Sequence, residues 1–88
     1  MATKSFKIGE YAIGGIIKVN VDLTTITIQA LDYYSKAVVS ENTYDLEDES
    51  YWSINDYLNE LTSSYHAEKV MEYIEKTSNI KHQIFRNY

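Results

Sequence analysis

Residues 16–33 read IIKVNVDLTTITIQALDY, and this stretch limits the possible folds more than any other. Ile17, Val19, Val21 and Leu23 alternate with Lys18, Asn20 and Asp22. After Thr24 and Thr25, Ile26, Ile28 and Ala30 alternate with Thr27 and Gln29. A period of two carried by β-branched residues marks half-buried strands, here two in succession. A lone hairpin is marginal in water, so its apolar face needs a cover.

The flanks supply that cover. Residues 4–8 alternate Phe6 and Ile8 with Lys7, which predicts a short first strand at a sheet edge. All three glycines, Gly9, Gly14 and Gly15, fall within seven positions and predict a bend between the first two strands, because glycine reaches positive φ without a steric penalty. Neither GxGxxG nor GxxxxGK[ST] is present, so a phosphate loop is not expected. Residues 34–40 read as a further strand, with Lys36 discouraging edge-to-edge association and a continuation toward Tyr44 allowed. Residues 41–51, ENTYDLEDESY, break the periodicity and read as an acidic loop.

Helical spacing begins at Ser53. Ser53 with Asp56 resembles a capping box, and Ile54, Tyr57, Leu58 and Leu61 fall on one face. Thr62, Ser63 and Ser64 interrupt the helix and offer new N-caps. Ala67, Val70, Met71 and Ile74 then repeat the spacing, and residues 77–79 end it. Ile80, Ile84 and Phe85 predict a last strand over 80–88. The expected order is β-β-β-β-α-α-β. It describes one α+β domain over residues 1–88, an antiparallel sheet of four to five strands covered on one face by a two-helix hairpin.

Composition narrows the function classes. There is no cysteine, which removes disulfides, thiolate metal sites and a cysteine nucleophile. The two histidines are not at ligand spacing: three and four residues after His66 stand Lys69 and Val70. The acids of residues 45–49 lack the glycine an EF-hand loop requires. No GxSxG elbow is present. The expectation is a protein with no metal, no cofactor and no catalytic residues, hence not an enzyme. No apolar run approaches the roughly 20 residues that span a bilayer. The opening MATKSFKIGE lacks the apolar core of a secretion signal, so a cytoplasmic location is expected.

Charge is the remaining signal. The net charge is −5 and uneven. Residues 37–60 hold seven acids (Glu41, Asp45, Glu47, Asp48, Glu49, Asp56 and Glu60) and no base. Phosphates repel such a chain, so direct DNA or RNA binding is disfavoured, whereas a basic nucleic-acid-binding protein is a natural partner. Nine tyrosines add large, rigid contact area. The candidate partner-binding set is Asp32, Tyr34, Tyr44, Asp45, Glu47, Asp48, Glu49 and Tyr51, with carboxylates imitating phosphates and tyrosines as anchors. The plainer reading is a solvated acidic loop, with Trp52 packed in the core at the helix start.

Two segments carry a resemblance. One is Lys4-Ser5-Phe6-Lys7-Ile8-Gly9. The other is Tyr57-Leu58 followed by Val70-Met71-Glu72-Tyr73-Ile74-Glu75-Lys76-Thr77-Ser78. In these the chain resembles the small phage-encoded anti-CRISPR proteins, among them the type II-C inhibitors that cover the HNH nuclease domain of Cas9. The glycine spacing and the middle of the chain depart from that pattern, so no functional residue is carried over. The resemblance implies a compact acidic protein that binds a CRISPR effector in the host bacterial cell, as a monomer or small homo-oligomer. The rival expectation is an oligomeric structural or adaptor module.

Overall fold

The two alternations of residues 16–33 become the two central strands of a four-stranded antiparallel meander. The computed structural model describes residues 2–45 and 51–78. Strands β1 (Ala2–Lys7), β2 (Gly15–Val21), β3 (Thr25–Asp32) and β4 (Val38–Asp45) lie side by side in chain order. Helices α1 (Tyr51–Leu61) and α2 (Ser64–Thr77) follow. The α+β class and the order β-β-β-β-α-α are as the sequence predicts; the strand expected over 80–88 lies outside the described residues.

Strand pairing explains the burial. Phe6, Ile17, Ala30 and Ser40 stand in one row across the sheet, and Val21, Ile26 and Tyr44 in another. These rows face the helices. Ile54, Leu58 and Leu61 of α1 and Ala67, Val70, Met71 and Ile74 of α2 close over Ile17, Val19, Val21, Ile26 and Ile28 to form one core. Removing a full-sized aliphatic side chain from water contributes about 1.5–3 kcal/mol, so this shared face stabilises the fold more than any other feature. The opposite face carries Lys18, Thr27, Gln29, Glu41 and Thr43, and neither α1 nor α2 packs on it.

The connections differ from the sequence reading in three places. Leu23 does not continue the alternation: it lies in the three-residue link to β3 and is 89% exposed. There the Asp22 amide donates to Thr25 O (2.8 Å), which closes the hairpin. Residues 34–37 belong to the link between β3 and β4 rather than to the start of β4, while at residues 41–44, where the sequence allows either a continued strand or a loop, the strand continues, as far as Asp45. Helix α1 spans Tyr51–Leu61, so Ser53 lies inside it rather than at its N-cap. Ser63 does occupy the N-cap position of α2, with extended backbone and no side-chain cap bond.

Candidate functional site

Gly14 and Gly15 bring the β1–β2 connection hard against the end of β3. A Cβ on Gly14 would meet Leu31 O at 2.5 Å, and one on Gly15 would meet Tyr33 Cβ at 2.8 Å. Both glycines have positive φ, 78° and 111°. The Tyr33 amide donates to Gly14 O (2.6 Å), and the Ile13 amide donates to Leu61 O (2.7 Å), which ties the loop to the end of α1. The outcome is an open groove of about 520 Å³ lined by Gly9, Glu10, Ala12, Gly14, Gly15, Tyr33 and Tyr34. The clustered glycines read as a bend alone; the concavity they leave is not visible in the sequence.

Asp32 organises the turn beside this groove. Its carboxylate accepts the amides of Tyr34 (3.0 Å) and Ser35 (2.8 Å). The Ser35 amide and hydroxyl, then the Tyr34 amide and the Lys36 ammonium, hold the Asp32 carboxyl below its ordinary value, with desolvation opposing them. Lys36 closes the turn at φ 66°. Its amide donates to Asp32 O (2.8 Å) and its ammonium sits 5.2 Å from the Tyr33 ring centroid. Tyr34, 89% exposed, meets the Tyr33 ring edge-on at 5.3 Å. Asp32 is therefore committed to its own turn, and Tyr34 is displayed.

Tyr44 corrects the sequence reading. It is 6% exposed and belongs to the core, so it is not a surface anchor. Its hydroxyl accepts Asn42 Nδ2 (3.0 Å) and its ring stands 6.2 Å from that of Tyr57. The acids around Tyr44 in the sequence hide its inward position: β4 places residues 40, 42 and 44 on the covered face and 41, 43 and 45 on the open one. Asp45 is exposed at the end of β4, opposite Thr25. Tyr51 is the first residue of α1. Glu47, Asp48 and Glu49 lie outside the described residues. Trp52, the candidate core staple, is 48% exposed on α1.

The described members of the candidate set do not form one patch. Asp32 and Thr25 are the two ends of β3, and Asp45 pairs with Thr25. Seven residue steps at roughly 3.3 Å each put about 23 Å between the Asp32–Tyr34 turn and Asp45. A sharper pattern emerges across the sheet. Lys4 and Lys7 lie on β1 and Lys18 on β2, whereas Glu41 and Asp45 lie on β4 and exposed Asp56 and Glu60 on α1. Because the strand order is β1-β2-β3-β4, the lysines of β1 and β2 and the acids of β4 stand at opposite edges of the sheet. Glu41 is held by the Gln29 side-chain amide, and Lys4 lies over the rings of Phe6 (5.1 Å) and Tyr73 (5.5 Å).

A second groove, of about 380 Å³, runs between the helices and is lined by Asn55, Asn59, Glu68, Met71, Glu72 and Glu75 among others. Among the described residues no helix is long and apolar enough to cross a membrane. No family model matches the chain, and no curated protein or solved structure does.

Proposed function

We propose that this chain is a protein-binding inhibitor of the anti-CRISPR kind, which occludes a nucleic-acid-handling effector in a host bacterial cytoplasm. The observation that carries the reading is the acidic side of the molecule. Residues 37–60 include no base, and Glu41, Asp45, Asp56 and Glu60 are exposed along β4 and α1. Carboxylates set along a strand edge and the neighbouring helix present negative charge to a groove built for phosphates. Asp45 on this side remains a proposed contact, together with Tyr51 and with Glu47, Asp48 and Glu49, which lie outside the described residues; Asp32 and Tyr34 belong to the other end of the sheet and are not needed for it. The action is stoichiometric exclusion of DNA, with no chemical step and no cofactor.

The test is DNA cleavage by purified type II CRISPR ribonucleoproteins, the class that the resemblance indicates, titrated with the protein. Loss of cleavage complete near one equivalent of protein supports the proposal. Full cleavage at a large excess, across type II-A and II-C effectors, overturns it for this target class.

A further inference from the structure

Large apolar side chains stand in water around the glycine groove. Ile13, Tyr33, Tyr34, Val38 and Val39 are between 41% and 89% exposed. They gather about Gly14. Ile13 precedes it, the Tyr33 amide donates to its carbonyl (2.6 Å), and Val39 Cγ2 lies 3.2 Å from where a Cβ on it would stand. Val38 pairs with Leu31, two residues before Tyr33. At the ordinary surface of each residue type these exposures come to roughly 600 Å², the upper end of the largest apolar patch on a typical monomer.

The patch has a projection beside a concavity. Tyr34 projects, 89% exposed. Its amide is held by the Asp32 carboxylate (3.0 Å), and its ring meets that of Tyr33 edge-on at 5.3 Å. A side chain already held in place loses less freedom on contact. Next to it opens the groove of about 520 Å³, floored by Gly9, Gly14 and Gly15. That volume lies in the range of roughly 300–1,000 Å³ that takes a small ligand, ample for an aromatic ring.

We infer that this end of the molecule is a two-fold interface between copies of this chain, in which Tyr34 of each copy enters the glycine groove of the other. Three observations select a second copy as the occupant. First, a two-fold contact is self-complementary and needs projection and concavity on the same surface patch, which this end supplies. Second, two such patches face to face hide roughly 1,200 Å², the low end of a specific interface. Third, the charges match under that symmetry. Glu10 lines the groove, and Lys36 belongs to the turn that carries Tyr34, its ammonium 5.2 Å from the Tyr33 centroid. Entry of Tyr34 brings Lys36 toward the Glu10 carboxylate of the other copy, twice over, whereas a partner of one sign leaves one of these charges unmatched.

An interface of this size and apolar character gives dissociation constants on the order of 10–100 µM. The inference does not rest on the effector proposal, since the patch lies at the opposite end of β3 from Asp45 and concerns the purified protein alone.

The experiment is sedimentation of the full chain from about 5 µM to about 1 mM, a range that brackets those constants, at low and high salt. Wild type is compared with Tyr34→Ala and Leu23→Ala. Leu23 is the matched control: it is as exposed as Tyr34, at 89%, and lies in the link at the other end of β3. Neither side chain belongs to the core, and circular dichroism checks the fold of each variant. Wild type should approach the mass of a dimer and go no further, at both salt concentrations, because apolar burial is not screened. Tyr34→Ala should raise the dissociation constant about tenfold or more, and Leu23→Ala should change it less than about twofold. Wild type that stays monomeric up to the highest concentration overturns the inference. So does growth past the dimer, a dimer that Tyr34→Ala leaves intact, or one that Leu23→Ala weakens equally.

Discussion

The Tyr57 hydroxyl stands 2.6 Å from Ser40 Oγ and joins α1 to the inner face of β4 across seventeen residues of sequence. The row that begins with Phe6, Ile17 and Ala30 ends on this polar pair rather than on an apolar side chain. The pair lets a helix cover a strand whose inward positions are Ser40, Asn42 and Tyr44. Truncating either partner leaves the other hydroxyl partly buried without it. Ser40→Ala and Tyr57→Phe should each cost about 1 kcal/mol, and the double variant less than their sum, with a coupling of about 1 kcal/mol. Urea denaturation of the four proteins measures the coupling; strict additivity would show that the pair does not hold α1 to β4.

Glycine positions separate close approach from conformation. Gly14 and Gly9 both have positive φ, 78° and 68°, but a Cβ meets the Leu31 carbonyl at Gly14 and nothing within 4 Å at Gly9. Gly9→Ala should cost only the left-handed backbone, about 1–2 kcal/mol. Gly14→Ala adds a clash with backbone that cannot rotate aside, and should cost about 3 kcal/mol or more. Thermal melts order the two, and equal losses would contradict the packing of Gly14 on β3.

Lys36 is the only non-glycine residue with positive φ among the described residues. Replacement by alanine keeps that strain and loses the ammonium contact with Tyr33 O. Replacement by glycine loses the contact and the strain together. Lys36→Gly should therefore be more stable than Lys36→Ala by about 0.5–1 kcal/mol, as read from denaturant midpoints.

The Asp32 turn predicts a pH dependence. Its carboxyl titrates lower in the folded chain than in the unfolded one, chiefly because it accepts the Ser35 amide. Below the ordinary carboxylate value the unfolded chain takes up the proton first, so stability falls as pH falls through the folded value. The contribution is complete above the unfolded value, near 3.8. Asp32→Asn should flatten the acid limb of stability against pH relative to wild type, and melts between about pH 2 and 6 follow it. An unchanged acid limb would detach Asp32 from that dependence.

The strands and helix faces that were readable are those whose buried side chains are apolar. Ile17, Val19, Val21, Ile26 and Ile28 declare their face by alternation, and Ala67, Val70, Met71 and Ile74 by helical spacing, and all are buried. Strand β4 hid because two of its three helix-side residues, Ser40 and the exposed Asn42, are polar and hydrogen-bonded, which leaves Tyr44 alone to mark the face. The turn at residues 34–37 hid because Tyr34 and Val38 suit a strand, while the Asp32 carboxylate, by binding the next amides, ends one. At the candidate site the acidic excess was readable in composition. Its separation from the lysines was not, because that follows from strand order.

The most direct measurement is the dissociation constant for an inhibited effector at low and high salt, for wild type and for a chain with Asp45, Glu47, Asp48 and Glu49 all changed to lysine. Opposite charges that meet at a surface are screened over about 8–10 Å at physiological ionic strength. The acidic side should therefore lose at least about tenfold in affinity between about 50 and 300 mM salt, mostly through slower association, and the reversed chain should not bind detectably. Affinity that is the same at both salt concentrations, and the same after the four reversals, would contradict an acidic docking surface.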